Sequence, residues 1–140
     1  MIYLTRRERF NAAHRLFRED LSEEENFRIY GKCSNPNWHG HNYELFVTVK
    51  GEVKERPGYV LNLKDLSKLI KKSIIDKLDH KNMNIEVDFM QGKVASTENL
   101  AVAIWDLLSP LVKEMGAELH KIRIVETENN SVEYYGEKQK

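Results

Sequence analysis

The chain has 140 residues, 41% hydrophobic and 31% charged, with 22 basic side chains offset by 22 acidic ones. A chain of this length buries roughly two thirds of the surface its unfolded form exposes, so one domain with one core is expected over residues 1–140. The balanced charge excludes a global field that would hold nucleic acid or an anionic membrane, and no apolar run is long enough for a spanning helix. The opening "MIYLTRRERF" lacks the apolar stretch and cleavage site of a secretory leader, and a single cysteine cannot form an intramolecular disulfide. A reducing, cytoplasmic setting is therefore expected. The acidic "EDLSEEE" at 19–25 and the basic "KLIKKSIIDK" at 68–77 read as solvated faces.

Residues 2–14 alternate, with Ile2, Leu4, Phe10, Ala12 and His14 on one phase and Thr5, Arg7, Arg9 and Asn11 on the other. This predicts a half-buried strand with a bend available at Arg6–Glu8. Residues 17–37, "FREDLSEEENFRIYGKCSNPN", show no sustained period and read as a long loop with room for one helical turn. Loops of this length in a compact domain are usually functional or disordered. From His39 the alternation resumes, placing His39, His41, Tyr43, Leu45, Val47 and Val49 on one face.

Pro57-Gly58 marks a hairpin-like connection, after which a short strand is expected up to Asn62. Leu66, Leu69, Ile70, Ile74 and Leu78 recur at helical spacing and predict an amphipathic helix of about four turns that ends at "LDHKNMN". A second helix starts near "STENLAVAIWDLL", where Ser96 or Thr97 can cap and Glu98 suits the positive end of the dipole. Its buried stripe is Leu100, Ile104, Leu107, Leu108 and Leu111, and Pro110 either kinks it or starts a new turn after Ser109. "HKIRIVETENNSVEYYGE" supplies a strand, a turn at Asn129-Asn130 and a last strand. The element order predicts an α+β fold, an antiparallel sheet with two helices on one face.

Five histidines stand in the chain. Side chains two apart on a strand share a face, so His39 and His41 can reach one point, and pairing with the first strand could bring His14 to it. Three neutral imidazoles with an open fourth position are what a catalytic zinc requires, although His-X-His pairs also occur as surface chance or as satisfied core histidines. Cys33 is either a small packed residue or, in a polar loop near a cation, a thiolate base or nucleophile. Asp79-His80, at a helix end, either meets the dipole and solvent or supports an activated thiol. Glu126 shares the inner phase of Ile122 and Ile124; it is either an exposed strand-end acid or a carboxylate placed to accept two N–H groups of a planar guanidine-like edge.

Taken in order, "FNAAHRL", "GKCSNPNWHGHNY", "LDHKNMN", "STENLAVAIW" and "VETENNSVEYYG" resemble the 6-pyruvoyl-tetrahydropterin synthase family over nearly the whole chain. The resemblance implies the tunnelling fold, in which trimers join their sheets into a barrel and stack as a homohexamer. It implies zinc on His14, His39 and His41, and Cys33 as catalytic base assisted by Asp79 and His80 of a neighbouring subunit. Glu126 would anchor the pterin ring, and Ser96, Thr97 and Glu98 would lie at the segment lining its pocket. The implied reaction converts 7,8-dihydroneopterin triphosphate to 6-pyruvoyl-tetrahydropterin with loss of triphosphate, a lyase step of tetrahydrobiopterin biosynthesis that needs no nicotinamide or flavin. Arg15 and Lys81 are candidates for the triphosphate. Alternatives are formation of 6-carboxy-tetrahydropterin, a queuosine precursor, and a non-catalytic pterin-binding protein. The five residues between Cys33 and His39 match the pyruvoyl-forming arrangement. Trp38 departs from the family, where glycine commonly precedes the first histidine.

Overall fold

The fold comes from a computed structural model, which describes residues 1–137. It is organised by two 13-residue strands, β1 (Ile2–His14) and β2 (His39–Gly51), paired antiparallel from Ile2 opposite Gly51 to His14 opposite His39. Their shared inner phase fixes this register: Phe10, Ala12, Tyr43, Leu45, Val47 and Val49 are all buried, and a one-residue slip of either strand would turn its set to water. β3 (Lys81–Asn82), β4 (Glu118–Thr127) and β5 (Asn130–Tyr134) complete an open five-stranded sheet in the order β3-β1-β2-β4-β5.

The sheet is mixed, not purely antiparallel as expected. β3 runs parallel to β1 because the chain leaving the helix before it follows β1's end, with the His80 N–H donating to the Asn11 carbonyl and the Met83 N–H to that of Ala13. The bend expected at Arg6–Glu8 is also absent. Glu8 stays on the inner phase, only 8% exposed, because Arg6 Nε and Ser67 Oγ both donate to its Oε1, at 2.8 and 2.7 Å. A buried carboxylate with two partners stays in the strand, where an unpaired one would force it out. The turn between β4 and β5 is Glu128-Asn129, one residue earlier than expected.

Helices α1 (Glu23–Tyr30), α2 (Leu63–Ile70), α3 (Asp76–Leu78) and α4 (Thr97–Glu114) accompany the sheet. A π turn, Lys71–Ile75, joins α2 to α3. Its wider step brings Ile74 and Ile75 both into the core beside Leu66, Ile70 and Leu78. α4 buries Leu100, Ala101, Ala103, Ile104, Leu108 and Val112 and runs unbroken through Pro110. The proline sits on the exposed side, so the carbonyl of Asp106 that it leaves without a helical donor faces solvent.

Two further expectations give way. The stretch before Asn62 forms turns and bends, not a strand, and Val60 and Leu61 plug into the core from it. The loop at 17–37 contains α1, capped by Ser22, which accepts from the Glu25 N–H, and followed by a 3-10 turn at Gly31–Ser34. The legible signal was Ser22 followed by Glu25 three residues on, the sequence spacing of a capping box, with Glu23, Glu24 and Glu25 forming an acidic first turn. Periodicity missed α1 because its large apolar residues face outward, Phe27 at 63% and Ile29 at 58% exposure.

The Glu8 cluster gives a stability test. Ser67→Ala removes a donor from a buried carboxylate, and urea unfolding should show a loss of about 1–3 kcal/mol. An unchanged midpoint would mean that the Ser67 bond contributes nothing.

Candidate active site

The β1–β2 register puts His14 directly across from His39, with His41 two positions along the same inner phase. One ring nitrogen from each of His14, His39 and His41 lies within 4.8 Å of the others. The three rings meet edge to face, with centroids 4.5, 5.2 and 5.1 Å apart. Gly40 sits between the latter two on the opposite face, where an added Cβ would stand 3.2 Å from the Ala12 carbonyl oxygen, so the bare backbone keeps the strands close.

The donor chemistry fits a metal ion. His14 Nδ1 is 2.7 Å from the carbonyl oxygen of Ala95. A carbonyl only accepts, so Nδ1 carries the proton and Nε2 keeps its lone pair for the cluster, the arrangement by which an outer-shell acceptor orients a ligating imidazole. His41 Nε2 is buried and has no hydrogen-bond partner among the described residues. Glu126 Oε1 is 3.3 Å from it, yet without the alignment of a hydrogen bond. Three imidazoles with no fourth donor in the cluster among the described residues leave a coordination position open, as in catalytic rather than structural zinc sites.

Glu126 belongs to the same place. Its Oε2 accepts from the Thr97 hydroxyl, and its side chain is 25% exposed, so the carboxylate forms a wall of the site and is not a solvated strand end. Ser96 caps α4, its Oγ accepting from the Asn99 N–H, while Thr97 is turned inward and buried. Glu98 points to solvent in the first turn of α4. Sequence reasoning placed Tyr43 on the inner face but did not assign it to the site. It stacks on Phe10, and its hydroxyl is 3.5 Å from His14 Nε2. Burial, with Glu126 nearby, pushes its phenol far up. The Ala95 carbonyl was equally unforeseen, since a main-chain acceptor has no sequence signal.

Cys33 lies half-buried in the Gly31–Ser34 turn and is not among the mutually close metal donors. Arg15 Nε donates to the Ser34 carbonyl, and its guanidinium stacks 4.1 Å over the Phe17 ring. Asp79 and His80 are at the β1 edge: Asp79 Oδ1 accepts from the Asn11 N–H at 2.9 Å, and Oδ2 is 3.0 Å from His80 Nδ1. That N–H holds the Asp79 carboxyl below its usual range, with His80 adding to the effect. No hydrogen bond or ion pair among the described residues joins this pair to Cys33. Trp38 has φ +68°, a left-handed conformation natural to glycine, and rests edge-on against Phe17 at 6.5 Å.

Burial lowers the His14 pKa despite the Ala95 bond, and His39 and His41 lower it further; burial and then His41 lower that of His39. Both imidazoles are thus held neutral and ready to ligate. The unfolded chain protonates them below about pH 6.5, the folded chain only at lower pH. Stability of the metal-free protein is therefore independent of these groups above about pH 6.5 and declines as pH falls below it toward the folded values. Urea midpoints measured from about pH 7.5 down to about pH 5.5 should fall on the acid side, and a level profile would contradict the buried neutral histidines.

A family model described as "6-pyruvoyl tetrahydropterin synthase" matches residues 3–137. A Dictyostelium discoideum protein named 6-pyruvoyl tetrahydrobiopterin synthase is 49% identical over 136 residues, covering 97% of this chain and 97% of its own length. The Homo sapiens protein of that name is 47% identical over 134 residues, 96% of this chain and 91% of its own. The solved structure of Caenorhabditis elegans 6-pyruvoyl tetrahydropterin synthase superposes with a TM-score of 0.89 at 37% identity, covering 97% of this chain and 96% of that one. With matches of that extent, the chain belongs to the 6-pyruvoyl tetrahydropterin synthase family.

Proposed function

We propose that this protein is a zinc-dependent lyase that converts 7,8-dihydroneopterin triphosphate to 6-pyruvoyl-tetrahydropterin and triphosphate. The observation that carries this reading is the convergence of His14, His39 and His41 beside the Glu126–Thr97 pair, a metal-ligand set and an anchoring carboxylate in one place. Bound zinc would supply Lewis-acid polarisation of a substrate side-chain oxygen. Glu126 accepts the amino group and ring N–H of the pterin edge, a planar pair that a carboxylate matches in two hydrogen bonds. The Thr97 hydroxyl, already donating to Glu126, fixes that carboxylate before substrate arrives. Ser96 and Glu98 stand on either side of Thr97 at the start of α4, the segment that would line the pterin pocket.

Cys33 takes the proton from the side-chain carbon. The electron pair released passes into the ring's C=N bond, and a ring nitrogen takes up a proton. The side-chain enol so formed becomes a ketone by returning a proton to the ring carbon, so the ring is reduced as the side chain is oxidised. Loss of a second proton, from the next side-chain carbon, then drives out triphosphate with the electrons of its carbon–oxygen bond, and the remaining enol becomes the second ketone. The redox change is internal and needs no added oxidant. Asp79 and His80 assist Cys33 across a subunit boundary. His80, with its side chain 76% exposed, is free to reach a neighbour. Assembly as a homohexamer of two stacked trimers is supported by the sheet's open edges, since β3 covers only Ala12 and Ala13 of β1 and β5 ends the other side. No helix among the described residues is long and apolar enough to cross a membrane. A cytoplasmic enzyme with one domain over residues 1–140 is the reading that the single cysteine and the chain length support.

The test is incubation with 7,8-dihydroneopterin triphosphate and mass analysis of the product. The pyruvoyl product with released triphosphate is expected; a 6-carboxy product would reassign the reaction, and stoichiometric zinc without turnover would indicate a binding protein. Cys33→Ala should retain zinc and lose at least roughly 100-fold in kcat, as expected for removal of a positioned base. An undiminished rate would remove Cys33 from the chemistry. His39→Ala should instead lose metal and turnover together, read by metal analysis.

A further inference from the structure

Past His14 the chain leaves the sheet, since β1 ends there and β3 pairs only with Ala12 and Ala13. The segment 15–18 is nonetheless held on both sides, by side chains acting as a neighbouring strand would. Asn84 accepts from the Arg15 N–H at 3.0 Å and donates to the Arg15 carbonyl at 2.9 Å. Asn26 does the same for Arg18, at 2.9 and 3.0 Å, and is itself only 3% exposed. Between these clamps, the Leu16 N–H donates to the Cys33 carbonyl at 2.8 Å, and Arg15 Nε donates to the Ser34 carbonyl at 2.7 Å. Buried Ser34 closes the turn by donating to the Gly31 carbonyl at 2.8 Å. The turn that carries Cys33 is thus tied to the segment next to the metal ligand His14, and that segment takes its position from two amide side chains.

We propose that Asn84 and Asn26 are positioning residues for Cys33, setting where its thiol stands relative to the histidine cluster. The inference rests on the reading of Cys33 as the base. Neither asparagine touches Cys33, and each acts through the 15–18 backbone. An amide is suited to this because only Asn or Gln presents an acceptor and a donor side by side, matching the N–H and C=O of one extended residue. Asn84 belongs to the same "LDHKNMN" stretch as Asp79 and His80, so one connection both supplies the acid–imidazole pair and aligns the thiol of its own chain.

Cys33 is the only cysteine, so alkylation of the zinc-loaded protein by iodoacetamide without substrate reports on it alone. Asn84→Ala removes both bonds to Arg15; Asn84→Asp keeps the acceptor and opposes the Arg15 carbonyl with a second oxygen. Both should alkylate at least about threefold faster than the parent protein, because the freed turn exposes the thiol. Both should also keep metal content and hold KM within about twofold while kcat falls roughly tenfold, the signature of a misplaced group rather than lost binding. Ser67→Ala, destabilising but remote from this segment, should leave the alkylation rate unchanged. Parent-like alkylation and kcat in both Asn84 variants overturn the proposal, and equal acceleration in Ser67→Ala overturns it too by showing general loosening. If Asn84→Ala does not fold, Asn84→Asp decides by the same rates. Full turnover by Cys33→Ala would defeat the base assignment alone, with the alkylation rates still deciding whether Asn84 holds the turn.

Discussion

The pairing of β1 with β2 is the constraint on which the site depends. It is fixed by an apolar phase well away from the histidines: Phe10, Leu45, Val47 and Val49 select the register, and that register then places His14 against His39. The same alignment that buries the core therefore assembles the histidine cluster, which could hold a metal ion, and no separate interaction is required to bring it together. It also makes the cluster rigid, since each imidazole is rooted in a continuous strand and not in a loop.

Around this seam the site is completed by the start of α4. Ala95 presents a carbonyl to His14, Thr97 a hydroxyl to Glu126, and Ser96 ends the preceding turn by capping the helix. Sheet and helix thereby share the tasks: the strands supply the histidine cluster and Glu126, and the segment at the helix start fixes the tautomer of His14 and holds the Glu126 carboxylate. Burial contributes in its own right, because an imidazole removed from water resists protonation and stays available as a ligand.

What could be read in the sequence follows from how local each signal is. Strand phase showed His39 and His41 on one face and Glu126 on the inner side of its strand, because alternation is a property of a few neighbouring residues. Joining His14 to them needed knowledge of which strands pair and in what register, which a single strand does not encode. The resemblance supplied that set and the fold family in advance. It did not reveal the Ala95 carbonyl, the Tyr43 hydroxyl or the Asn84 clamp, which depend on positions brought together over long chain separations, nor the Asn26 clamp, which spans eight residues but depends on the path of an irregular loop. α1 escaped because its exposed Phe27 and Ile29 erase the amphipathic pattern that marks a packed helix. β3 escaped because two residues are too few to alternate.

The π turn at Lys71–Ile75 bears on more than packing. A helix is a screw, and each residue added or removed turns everything beyond it by about 100° and shifts it by about 1.5 Å. A few residues beyond this turn, after Asp76 and Lys77, come Leu78, which points into the core, and Asp79, which meets the Asn11 N–H. Shortening the helix by one residue would restore regular winding and spoil both aims at once. The irregularity thus works as a phase adjuster: it reconciles where the core needs this helix to face with where the acid–imidazole pair has to emerge.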